Sequence, residues 1–126
     1  MRKDARENAF KLIFESLFHK LDKELSEQDF VDLKKDADKE FFNEIISAFE
    51  KNKEDLQEKI ESNLKEYDYS RVYRVDLALV YLALTEILFC KTPKAVAINE
   101  AVELSKKYST EKSSKFVNGL IENILK

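Results

Sequence analysis

Reaction chemistry has few places to sit in this sequence. The 126 residues contain one histidine, His19, and one cysteine, Cys90. A protein zinc site takes four ligands, or three and a water, drawn mainly from cysteine and histidine. The chain is therefore expected to hold no metal. His19 reads as a surface or interface residue, and Cys90, at the end of an apolar stretch, as a small buried hydrophobe. The only glycine is Gly119, which excludes a glycine-rich phosphate loop and a strained nucleophile turn. Carboxylates are plentiful, but solvated helix faces account for them. No pair stands out as an acid and a base driven apart in pKa by burial. The expectation is a protein that is not an enzyme and needs no cofactor.

Binding chemistry is better represented. Arg2, Lys3 and Arg6 cluster where a first helix should start, and positive charge there opposes the helix dipole. A phosphate-contacting patch would explain the cost. Asn99, beside Glu100, sits inside a helical pattern, where asparagine competes with the backbone for hydrogen bonds. Asn118 and Gly119 do the same further on, where glycine costs roughly 1 kcal/mol relative to alanine. These four read as architecture, with Gly119 marking a close helix–helix approach.

The elements that must carry these residues are helical. Glycine and proline occur once each, too few for a turn-rich β fold. Apolar residues at helical spacing predict a first helix from about Lys3 to Leu21. Ser26 is placed to cap a short second helix through Leu33, and Asp38 a third. The third helix is expected to break or bend in the polar stretch Lys51 to Asp55. Tyr67-Asp68-Tyr69-Ser70 reads as a link between halves. A central buried helix follows from about Val72 to Phe89, then one starting at Thr92-Pro93 and ending near Tyr108. A last helix is capped by Ser109 or Thr110.

The net charge of −3 gives no sign of nucleic-acid binding. Its distribution does: mildly basic ends flank an acidic middle. If the ends meet in space they form one positive face. The lone cysteine suits a reducing compartment, and the charged N-terminus lacks a signal peptide's apolar run. The stretch Val75 to Cys90 contains Asp76 and Glu86 and is too short to span a bilayer. A cytoplasmic protein without a membrane partner is expected.

Two segments resemble a known family. Lys94-Ala95-Val96-Ala97-Ile98-Asn99-Glu100-Ala101-Val102-Glu103-Leu104-Ser105-Lys106 is similar to the NusB family's K-V-A-I-N-E-A-V-E-L-A-K signature. Lys115-Phe116-Val117-Asn118-Gly119-Leu120-Ile121 is similar to its K-F-V-N-G-V-L signature. Ala5-Arg6-Glu7 with Leu12, Ile13 and Phe14 resembles its opening, and Leu82 to Leu88 its L-A-L-Y-E-L segment. The resemblance implies an all-α fold of two small helical bundles packed across each other, about six or seven helices. It divides the chain into subdomains at about 1–66 and 70–126. It also implies a transcription antitermination factor that binds boxA-type single-stranded RNA together with the ribosomal protein NusE. Such factors work with the RNA polymerase elongation complex on ribosomal RNA operons, and some relatives form homodimers.

Residue by residue, the resemblance carries RNA contacts to Arg2, Lys3 and Arg6. Lys112 and Lys115 stand ready for further phosphates, and Phe116 for stacking on a base or for the core. Phe14 stands where the family often has tyrosine against its protein partner. Tyr81 and Leu77 stand where charged residues are frequent, and Tyr81 is placed at the partner surface. Alanine at Arg2, Lys3 and Arg6 should then weaken RNA binding without unfolding the helix. Two other readings remain open: a protein–protein adaptor, and an RNA-holding module like those preceding RNA cytosine methyltransferase domains.

Overall fold

A computed structural model describes residues 2–17, 31–64 and 68–126 of the chain. Among these, five α-helices and one 3₁₀ turn are present and no strand. We label the helices α1 (Arg2–Ser16), α2 (Asp36–Ser62), α3 (Arg74–Phe89), α4 (Lys94–Tyr108) and α5 (Glu111–Ile124), with the 3₁₀ turn at Tyr69–Arg71 before α3. The all-helical class is as expected, and the count is slightly below six. Most of the expected second helix, from Ser26 to Phe30, lies outside the described residues, as do His19 and Tyr67. Val31 and Leu33 are described and are not helical.

α3 is the hub. Its residues 76–86 are buried without exception, because apolar side chains occupy every face of the helix. α1, α2, α4 and α5 all pack on it. The buried apolar side chains of all five helices form one cluster, with Phe49, Tyr81, Ile13 and Ile45 among its largest fully enclosed members. Phe49 meets Tyr81 edge-on, with ring centroids 5.4 Å apart.

α2 runs unbroken through Lys51–Asp55, which corrects the expected bend. The stretch is polar but made of good helix formers, and Phe49, Leu56 and Ile60 keep one buried stripe across it. The side-chain amide of Asn52 bonds the Ala48 carbonyl at 2.9 Å instead of leaving the helix. Asp38 is not the cap: Lys35 holds that position, and Asp38 lies in the first turn.

The short connections follow local chemistry. Thr110 caps α5, its hydroxyl accepting from the Ser113 amide at 3.2 Å. Lys91, in the link between α3 and α4, has φ of 59°, the left-handed conformation common just past a helix end. Asn8, buried in α1, donates to the Val31 carbonyl and accepts from the Val31 amide, both at 2.8 Å. That reciprocal pair fixes the backbone at Val31 against the first helix.

Candidate nucleic-acid interface

The N-terminal basic residues divide into two kinds. Arg2 and Lys3 are exposed, whereas Arg6 is 5% exposed. One turn separates Arg2 from Arg6, and both guanidinium groups lie over the Phe41 ring, at 4.3 and 5.2 Å from its centre. Arg6 then reaches inward, where its Nε donates to Glu86 Oε1 at 2.7 Å. The same oxygen accepts from the Thr92 hydroxyl at 3.1 Å. Glu86 is 1% exposed. Burial pushes its pKa above the ordinary carboxylate value, while Arg6 and Thr92 pull it back. Arg6 is thus engaged in an internal ion pair that joins α1 to α3, while Arg2 and Lys3 stand exposed. Glu7 points the other way, bonding Lys107 of α4 at 2.7 Å and lying 3.8 Å from Lys11. Its carboxylate raises the pKa of the Lys107 ammonium.

The second basic group lies elsewhere. Lys112 lines a cleft of about 250 Å³ with Arg71, Val72, Tyr73, Asp76, Ser113 and Phe116. This cleft is at the start of α3, while Arg6 is anchored near its end. Asp76 and Glu86 are separated by about 15 Å along the axis at ~1.5 Å rise per residue. The expectation of one continuous cationic surface is corrected accordingly. α1 begins at one end of α3 and α5 begins at the other, so the two basic groups flank the hub helix. Lys115 is exposed on α5, one turn beyond Lys112, and Phe116 is half-buried.

The cleft carries residues that sequence reasoning passed over. Tyr73 is 63% exposed, the most exposed large hydrophobic side chain among the described residues. Asp76 is 6% exposed, and its Oδ1 has no hydrogen-bond partner among the described residues. Burial raises the Asp76 pKa, against a smaller lowering by a hydrogen bond from Ser113. The signal was present in Arg71-Val72-Tyr73-Arg74-Val75-Asp76, a polar and aromatic run that opens the most apolar helix.

Two further assignments change. Tyr81 is fully buried, its hydroxyl 2.6 Å from that of Tyr69, so it belongs to the core and not to a partner surface. Gly119 is exposed, and a Cβ built on it meets nothing within 4 Å. It does not mark a close helix approach. Asn99 and Asn118 are also exposed and line an open groove between α4 and α5, beside the Lys94–Glu122 ion pair at 2.9 Å. Glu100, half-buried, faces Glu86 closely enough to raise the latter's pKa. Phe14 is half-buried with its ring 6.2 Å from that of Phe10. Cys90 is buried, and its thiol pKa is pushed up to about 12, chiefly by desolvation. Among the described residues no group of histidine, cysteine or carboxylate side chains is arranged to hold a metal. No described helix is long and apolar enough to cross a membrane.

The described residues form a helical hub flanked by exposed cations, with an aromatic cleft at one end. The NusB family profile matches residues 3–126. The transcription antitermination protein NusB of Clostridium novyi (strain NT) is 37% identical over 131 residues, covering 99% of this chain and 98% of that protein. The corresponding protein of Finegoldia magna is 40% identical over 129 residues, covering 99% and 93%. Among solved structures, T. maritima NusB superposes with a TM-score of 0.87 at 31% identity, covering 98% of this chain and 89% of that one. A crystal structure of the antitermination factors NusB and NusE in complex with double-stranded RNA gives 0.84 at 28% identity, covering 98% and 94%. The chain belongs to the NusB family, a family of transcription antitermination factors and not of enzymes.

Proposed function

We propose that the chain binds boxA-type single-stranded RNA jointly with the ribosomal protein NusE, and through the RNA polymerase elongation complex supports antitermination on ribosomal RNA operons. The observation that carries this reading is its likeness, over nearly the whole chain, to a NusB seen with NusE and RNA. Arg2 and Lys3 hold phosphates at one end of α3, and Lys112 and Lys115 at the other. Phosphate contacts set position, and base contacts set sequence. A single strand suits the cleft beside Tyr73, because only an unstacked base can enter it.

The test is RNA affinity with and without NusE at two salt concentrations. The chain alone binds modestly and salt-dependently, and NusE raises the affinity. Undetectable RNA binding by the NusE-bound chain at low salt would overturn the reading. A second reading, a protein-only adaptor that also self-associates, draws on Leu88, Phe89 and Val96. These three are 40, 39 and 43% exposed. Retention of NusE by a chain that never binds RNA would favour it.

A further inference from the structure

We propose that the cleft at the start of α3 is a pocket for one unstacked guanine base, with Asp76 as the residue that reads it. This deepens the RNA-binding reading and rests on it. Asp76 is 6% exposed, yet Oδ1 has no partner among the described residues. Buried polar atoms are nearly always paired, so an orphaned carboxylate oxygen beside a cleft points to an absent donor. Ser113 supplies one hydrogen bond to the carboxylate, and the free oxygen needs another.

The surroundings limit what that donor is. Arg71 and Lys112 line the same cleft, and both repel an incoming lysine or arginine of a protein partner. The same two cations attract a phosphate. Tyr73 and Phe116 offer aromatic faces for stacking. The volume, about 250 Å³, is below the ~300 Å³ at which sites for drug-sized ligands begin. It suits a single base. Among bases, guanine presents two adjacent N–H donors, N1–H and the N2 amine, which match a carboxylate. Uracil presents one N–H between two carbonyl oxygens that a carboxylate repels. Stacking supplies sequence-tolerant affinity, the flanking cations hold the phosphates, and Asp76 supplies the choice of base.

The experiment uses labelled RNA pentamers with uridine at every position but the third, which is guanosine, inosine, adenosine or uridine. Anisotropy titrations at low salt compare wild type with Asp76→Asn and Tyr73→Ala. Wild type favours the guanosine pentamer over the all-uridine one by roughly tenfold, the size of one good base contact. Inosine, lacking the N2 amine, loses much of the preference. Asp76→Asn abolishes it, and Tyr73→Ala weakens all four pentamers together. Equal binding of all four to wild type overturns the guanine pocket but leaves RNA binding standing. A guanosine preference that survives in Asp76→Asn overturns the role of Asp76. Binding of none of them, even with NusE present, overturns both the pocket and the RNA reading.

Discussion

Replacing Arg6 by alanine separates an internal role from an RNA-contacting one. The substitution removes the partner of a carboxylate that is 1% exposed. It takes away the 2.7 Å ion pair with Glu86 and the guanidinium stacked 5.2 Å over Phe41. An exposed ion pair is worth about 0–1 kcal/mol. Removing one partner of a buried pair costs about 3–5 kcal/mol, because the remaining charge is stranded in low dielectric. A domain of this size is stable by only ~5–15 kcal/mol. Arg6→Ala should therefore lower the melting temperature by about 10–20 °C. Urea denaturation of wild type, Arg6→Met, Glu86→Leu and Arg6→Met/Glu86→Leu completes a double-mutant cycle beside Arg6→Ala. The double variant should recover most of the loss, since a well-packed apolar pair replaces a buried ionic one at little cost. The Arg6→Ala deficit should also shrink as pH falls. Burial already raises the Glu86 pKa, and without Arg6 it rises further, so acid neutralises the stranded charge. A destabilisation under about 1 kcal/mol, accompanied by a salt slope of RNA binding shallower by about 0.7, would refute the internal assignment.

Other outcomes follow from the same geometry. Gly119→Ala should stabilise the protein by about 0.4–1 kcal/mol in chemical denaturation, because the added methyl meets open space and the helix gains rigidity. Lys91→Gly should stabilise on the order of 1 kcal/mol by relieving the left-handed backbone at φ 59°. Cys90, with its thiol near pKa 12, should resist a thiol reagent at about pH 8 in the native protein and react on unfolding. Asp76 binds its proton more tightly folded than unfolded, so its ionisation costs stability as pH rises from the ordinary value of 3.8 through the raised one. Asp76→Asn should lose that cost, and its stability relative to wild type should climb across that pH window.

The fold was legible because its signals are local. The scarcity of glycine and proline, the all-round apolar stretch that became α3, and the Thr110 cap each act within a few residues. The polar stretch of α2 misled because surface polarity says nothing of helix continuity when the buried stripe keeps phase. The candidate site was legible in part. Arg2, Lys3, Lys112 and Lys115 stand exposed, but the sequence could not tell Arg6 from Arg2. Which arginine turns inward depends on Glu86, 80 residues away. Tyr81 was misplaced for the same reason, since its hydroxyl is satisfied by a tyrosine of the 3₁₀ turn. Asp76 read as an interruption of an apolar run. Its importance lies in a missing hydrogen bond, which only three-dimensional packing reveals.

The central claim is that exposed cations at both ends of α3 hold one RNA strand. Its most direct test is the salt dependence of boxA-type RNA affinity for wild type and Arg2→Ala/Lys3→Ala/Lys112→Ala/Lys115→Ala, each with NusE. Four contacts at ~0.7 each give a slope near −2.8, or roughly 50-fold weaker binding between about 50 and 200 mM salt. The account predicts that the quadruple variant stays folded and loses that part of the slope. An unchanged slope in a folded quadruple variant would contradict it.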